Sequence, residues 1–432
     1  MRGESEHVGG LDPYRGRGIY VIALLALINV VNFIDRQLPF ILIGSIKEDL
    51  QLTDTQIGLM AGLSFAIVYS FAGLPLARLA DRGSPRKVLA LALGVWSLAT
   101  AVTGFAQNFL HMVLSRVTVA AAEAGSTPTG HALISRSYRP DKRAIALAIF
   151  SCGVPIGSTL GLGLGGYIND MFNWRVAFFI VGLPGLLLAL LAWFTLPEVR
   201  KAGGSEGIAP EAYAPGLRYL FALPSFRNMA AASSLYAIGS YAMNVFGAAF
   251  LMRVHDLTAT QAGLGFGLAF GVGGAIGTFM GGYLGDRLGQ RDPRWRQWIP
   301  AIGQLLSIPT ALGAWLCADP LLSIVLLTFT YMFGLLYFAC SFATGQMLVP
   351  ERMRATASAV LLFCLTLVGS SVGPIVVGAV SDALEPTYGV LSLRYAMSLM
   401  AVTIAWSAWH YHRAAIALPG DFARIARDKA AD

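Results

Sequence analysis

Charge is scarce in this sequence. Only 13% of the 432 residues are charged, against 56% hydrophobic, whereas soluble domains carry about a quarter charged residues. A chain this poor in charge cannot coat its surface with polar groups, so lipid is the expected solvent. Cysteine is also scarce. Cys152, Cys317, Cys340 and Cys364 lie in or beside apolar runs without metal-ligand spacing, which reads as packing and argues against a disulfide framework or a metal site. Catalytic signatures are missing: there is no GxSxG, HExxH or P-loop and no acid/base pair in a loop. An enzyme is therefore not expected, nor is a cofactor. The net charge of +7 would suit nucleic acid, but the basic residues form short clusters between long apolar runs, so no nucleic-acid partner is expected. A cleavable signal peptide is not expected either, because residues 1–18 are polar and the first apolar run is too long for one.

Long apolar runs fill the rest. A hydrocarbon core of about 30 Å needs about 20 helical residues. Twelve runs qualify: 19–45, 55–80, 87–107, 109–136, 144–170, 174–197, 227–252, 260–285, 298–317, 320–349, 355–383 and 393–411. Gly373 and Pro374 interrupt the eleventh, which still reads as one span, because interrupted helices are tolerated where neighbouring helices re-satisfy the backbone. About 25 of the 31 Lys and Arg fall in the termini and alternate loops, whereas Lys47, Arg175, Arg253 and Arg394 fall on the other side. The positive-inside rule then puts both termini in the cytoplasm.

The chain repeats itself. Residues 52–82 (LTDTQIGLMAGLSFAIVYSFAGLPLARLADR) align without a gap with 257–287 (LTATQAGLGFGLAFGVGGAIGTFMGGYLGDR), with about 12 identities in 31 at an offset of about 205. This joins the second span to the eighth and implies two six-span halves related by an axis along the membrane normal. The expected organisation is a tail 1–18, a six-helix bundle 19–197, a linker 198–226, a second bundle 227–411 and a tail 412–432. Both tails and the linker are expected in the cytoplasm. Within the linker, 215–222 (PGLRYLFA) has the pattern of a short interfacial helix. The fifth and eleventh spans carry small residues every third or fourth position, in GVPIGSTLGLGLGGY and GSSVGPIVVG. These read equally as tight packing or as a seam where halves rock.

Four ionisable residues sit inside spans: Asp35 and Arg36 in the first, Arg116 and Glu123 in the fourth. Each costs at least about 2.5–3.5 kcal/mol at mid-helix and is a functional candidate by default. Arg116 and Glu123, seven apart, share one helix face about 10 Å apart along the axis, and Thr127 continues it. Asp35 and Arg36 point about 100° apart, so one is expected toward a cavity and the other along a helix seam. Two readings stay open. Asp35 and Glu123 could load and release protons as their burial and arginine contacts change, or the four could be a static network that pins helix register. Arg36 and Arg116 could alternatively bind a substrate phosphate or carboxylate. His131, near the end of the fourth span, reads as an interfacial polar residue or a pH sensor.

The loop GYLGDRLGQR at 282–291 and its degraded counterpart ARLADRGSPR at 77–86 resemble the loop signature of the major facilitator superfamily. The resemblance covers about residues 17–411. It implies a twelve-helix, all-α fold of two pseudo-symmetric six-helix bundles that works by alternating access. It also implies a gating role at the cytoplasmic face for Asp81, Arg82, Asp286 and Arg287. The string NFIDRQ and the fourth-span Arg-then-Glu pattern followed by STPTGHALISRSYRP are similar to the spinster branch, which lies beside an anion:cation symporter group. By that resemblance the cargo is a lysolipid or sphingolipid-like amphiphile driven by protons, Asp35 and Glu123 are the protonation sites, and Arg36 and Arg116 are their partners or headgroup contacts. Small organic anions are the alternative cargo. Further cavity candidates in the second half are Tyr236, Asn244 and Tyr337. A monomer in the bacterial inner membrane, in contact with membrane lipids, is expected.

Overall fold

The computed structural model describes residues 11–12, 14, 16–198, 213–350 and 353–431, without the side chains of 74, 77, 81, 82, 140, 213–216, 355 and 428–431. Nearly all of these residues are helical. Ten stretches are long and apolar enough to cross a membrane. One of them, Thr356–Arg427, holds both the eleventh and the twelfth spans. The fourth span is not among the ten because it is broken into Phe109–Glu123 and Ser126–Ser137, each too short alone. Separating the one and adding the other gives twelve spans. The break has a local cause. Pro128 cannot donate a backbone hydrogen bond to Ala124 one turn back, and the chain gives way at Ala124–Gly125.

Helix starts follow cap chemistry. Asn108 accepts from His111 N at 2.9 Å and Asn173 from Val176 N at 3.0 Å. Ser84 and Asp319 each precede a proline at the first helical position. The second and eighth spans open on matching capping boxes, Thr53 with Gln56 and Thr258 with Gln261. The eleventh span, Arg354–Tyr388, runs through Pro374 as one helix, as the single run 355–383 implied. The linker pattern at 215–222 lies within a helix, Tyr213–Ala222.

Packing is inverted relative to a soluble protein. On the sixth span, Trp174–Thr195, the buried face carries Ala177, Gly182, Gly185, Ala189 and Ala192, whereas Leu183, Leu187, Leu190 and Phe194 point outward. Small residues inside let backbones approach, and large apolar ones outside meet lipid.

The described residues belong to two compact units. One comprises 1–38, 68–161 and 172–205, and the other 39–67, 162–171 and 206–432. These units cut across the sequence repeat, because the ends of the first, second and fifth spans join the second unit. In the first unit Tyr138 donates its hydroxyl to Gly18 O at 2.6 Å. Burial pushes its phenol up to about 12, so it stays a donor at any physiological pH. In the second unit the twelfth span continues as one helix, Met400–Ala431. Its Ala414, Leu418 and Ile425 pack with Leu220, Leu223, Phe226 and Met229. There the buried Asp421 carboxylate accepts from Ser225 N at 2.8 Å and Ser225 Oγ at 2.5 Å, capping the start of the seventh span. Replacing Asp421 with Ala should lower stability by about 1–3 kcal/mol, read as an earlier midpoint in SDS-induced unfolding. An unchanged midpoint would mean that the cap contributes nothing.

Candidate functional site

The first span builds the site by spacing alone. Asn29, Asn32 and Asp35 recur every three residues, and each is only 1% exposed. Asn29 donates to the Phe150 carbonyl at 2.8 Å, which fixes the first span against the fifth. One turn and a half further on, Asp35 is enclosed with Trp96 and Thr100 of the third span beside it and with Glu123 and Arg116 as its charged neighbours. Arg116 and Glu123 are likewise buried on the fourth span. Their seven-residue spacing keeps both on the inner face, and Glu123 is the last residue before the helix break.

Arg36 completes the cluster from the more open side. Its Nη2 lies 3.2 Å and its Nε 3.4 Å from Glu123 Oε2. The guanidinium also rests over the Tyr69 ring at 4.6 Å and the Phe33 ring at 5.0 Å. Its side chain is 22% exposed, while that of Glu123 is fully covered. The expected 100° divergence is therefore realised: Asp35 enters the helix seam and Arg36 reaches across to Glu123. Two acids and two bases make the cluster neutral as a whole, which moderates the cost of burying each member. The arrangement can also exchange charge. A proton on Glu123 would cancel the anion facing Arg36 and leave the guanidinium, still held by two rings, to meet another anion.

The remaining candidates are more dispersed. Thr127 is half-buried in the second segment of the fourth span, where His131 is exposed and sits edge-on to Phe150 at 5.6 Å. Asp81 and Arg82 end the second span, and their side chains lie outside the described residues. Asp286, 75% exposed, pairs with Arg296 at 3.5 Å, and Arg287 donates to the Tyr283 hydroxyl at 3.0 Å. In the second unit Tyr236 and Tyr337 are buried with ring centroids 5.1 Å apart, and Asn244 accepts from the Tyr331 hydroxyl at 3.2 Å. The polar groups that join Tyr236 and Tyr337 in this cluster are uncharged: Ser233, Ser341 and Tyr411.

Three carboxylates were not anticipated. Asp54 lies at the start of the second span, 1% exposed. It accepts from Lys47 Nζ at 2.9 Å, Arg253 Nη1 at 2.8 Å and Ser381 Oγ at 2.8 Å. Asp382 and Asp170, also unanticipated, hydrogen-bond to the starts of the second and eighth spans. A signal existed: GSTLGLGLGGYIND (157–170) and GSSVGPIVVGAVSD (369–382) align without a gap at an offset of 212 and share Gly, Ser, Gly, Gly and the final Asp. Reading these spans for small residues alone stopped short of the carboxylates that close them.

A double-mutant cycle on Arg36→Met and Glu123→Gln should give a coupling of about 1–3 kcal/mol in SDS unfolding. A coupling near zero would mean that the pair adds nothing to the folded state.

The comparisons with known proteins agree with this architecture. The sequence profile of the Major Facilitator Superfamily matches residues 25–374. An MFS-type efflux pump of Mycolicibacterium smegmatis is 37% identical over 401 residues, covering 93% of this chain and 92% of that one. Protein spinster of Drosophila melanogaster is 26% identical over 407 residues, covering 88% of this chain and 66% of that one. Among solved structures, a bacterial homolog of the human lysosomal transporter spinster, in an inward-facing and unoccupied conformation, superposes with a TM-score of 0.87 at 29% identity, covering 95% of this chain and 99% of that one. Twelve spans, a repeated half and a charged cluster inside the first bundle thus meet in one conclusion: the chain belongs to the major facilitator superfamily, in its spinster-type branch, and transports by alternating access.

Proposed function

We propose that this transporter moves an anionic amphiphile, of the lysolipid or sphingolipid type, and that protons drive it. The observation that carries the reading is the cluster of Asp35, Arg116, Glu123 and Arg36, which places two buried carboxylates against two guanidiniums in one bundle. Ionisable groups at that depth are expensive unless they are used. The other bundle supports the amphiphile half of the reading, because the phenols of Tyr236, Tyr337 and Tyr411 lie there amid apolar side chains. An anionic head suits the guanidiniums of the ion cluster. In this reading Asp35 and Glu123 carry the proton, and Arg36 and Arg116 balance them or receive the head. Protonation of Glu123 releases Arg36, so proton and anion bind in concert. Both termini face the cytoplasm, where the basic loops lie, and Asp81, Arg82, Asp286 and Arg287 bias the gate on that face.

Purified protein in liposomes under an imposed pH gradient tests this. Lysolipid flux should be at least about tenfold faster with the gradient than without it, and a protonophore should abolish the difference. Asp35→Asn and Glu123→Gln should each remove the gradient dependence. Flux that ignores both substitutions would refute the coupling sites, and flux of hexuronate in place of lysolipid would move the cargo to small organic anions. Asp81→Asn should shift cytoplasmic-side distances, measured between paired spin labels, toward the open state, and unchanged distances would remove that residue from the gate.

A further inference from the structure

The two capping boxes leave a specific gap. Each box satisfies the third helical N–H of its span with a threonine hydroxyl and the cap N–H with a glutamine carbonyl. The first and second helical N–H groups remain open. In the second span these belong to Asp54 and Thr55, and both donate to Asp382, at 2.8 Å each, with the Thr55 hydroxyl adding a third bond at 2.5 Å. In the eighth span they belong to Ala259 and Thr260, and both donate to Asp170, at 3.2 and 2.8 Å, with the Thr260 hydroxyl at 2.6 Å. The donors are related by the offset of 205 and the acceptors by the offset of 212. Each acceptor comes from the opposite sequence half to its donors. All these groups lie in the second compact unit.

The approach is shaped for this contact. Gly166 and Gly378 each stand four residues before their carboxylate. A Cβ on Gly166 would run into the Ala259 carbonyl, and one on Gly378 into the Asp54 carbonyl. Glycine at these two places lets the acceptor helix lie against the backbone of the helix that it caps. A carboxylate aimed at a helix N-terminus gains from the macrodipole as well as from charge-assisted hydrogen bonds.

We propose that Asp170 and Asp382 are paired latches that hold the extracytoplasmic gate shut, each by capping the first turn of a span from the other half. The side of the membrane rests on the orientation given under Proposed function. The latching does not, because it is read from the helix ends alone. The two corners are unequal. Asp54 braces the Asp382 corner through Lys47, Arg253 and Ser381. Its repeat counterpart is Ala259, which has no carboxylate to offer, so the Asp170 corner is held by its cap. The Asp170 corner therefore yields first when the gate opens.

Spin-label distances across each corner, on the full chain in lipid nanodiscs with the natural cysteines replaced, test this without any substrate. Glu48→Cys with Glu385→Cys reports on the Asp382 corner, and Met171→Cys with Leu264→Cys on the Asp170 corner. Asp170→Ala and Asp382→Ala should each raise the ratio of long to short distances by roughly tenfold, with the larger change at the Asp170 corner. Asp→Asn variants keep an acceptor and should give an intermediate shift. If an alanine variant does not fold, Thr55→Val and Thr260→Val remove one bond each and should give smaller shifts in the same direction. Distance distributions identical to those of the parent in the variants that fold would overturn the proposal. Equal shifts at the two corners would overturn the order of opening. Because no cargo or proton gradient enters the measurement, a failure of the amphiphile reading leaves this test intact.

Discussion

Arg36 reaches Glu123 at 3.2 Å within the membrane-spanning part of the chain, where the Glu123 carboxylate is fully covered. That constraint shapes much of the molecule. A carboxylate or guanidinium in hydrocarbon needs a partner within hydrogen-bond reach, and so does each backbone N–H at a helix end. The first bundle meets the demand with four ions that balance one another. Around Tyr236 and Tyr337 the second bundle buries phenols and hydroxyls instead. At the ends of the spans, carboxylates from other helices take up N–H groups that the capping boxes leave over.

The repeat supplies symmetry, and the charges break it. Spans two and eight open on the same four-residue logic, and spans five and eleven close on the same aspartate. Yet Asp54 has Ala259 as its counterpart, and among the described residues no ion pair like Arg36–Glu123 joins the cluster of Tyr236 and Tyr337 in the second bundle. A carrier built this way can hold its two halves in matching contact while it keeps its ionic chemistry in one of them. The division of labour is thus between a duplicated mechanical frame and an unduplicated chemical site.

Much of this was legible in the sequence, for identifiable reasons. Length and apolarity mark the spans, because lipid imposes a minimum helix length. The four intramembrane charges stand out because hydrocarbon makes them costly, and the structure brings them together as their spacing and neighbouring spans suggested. The 3.6-residue period predicted that Asp35 and Arg36 would diverge, but it could not say that Arg36 would take Glu123, since that depends on how two helices pack. The break after Glu123 follows from Pro128, a signal that hydropathy overlooks. The eleventh span takes its proline differently: the helix continues through Pro374, as the single run 355–383 implied. Asp54, Asp170 and Asp382 were missed because aspartates at span ends read as ordinary loop residues. Only their partners, far away in sequence, give them meaning.

Coupling requires that the buried carboxylates change protonation when cargo binds. Adding a lysolipid to the purified protein in weakly buffered solution at fixed temperature, and following the pH of the medium, measures this directly. Proton uptake of about one per carrier, abolished by Glu123→Gln, is the expected result. Saturable lysolipid binding without any proton exchange would contradict the account and leave the cluster a static network of ions.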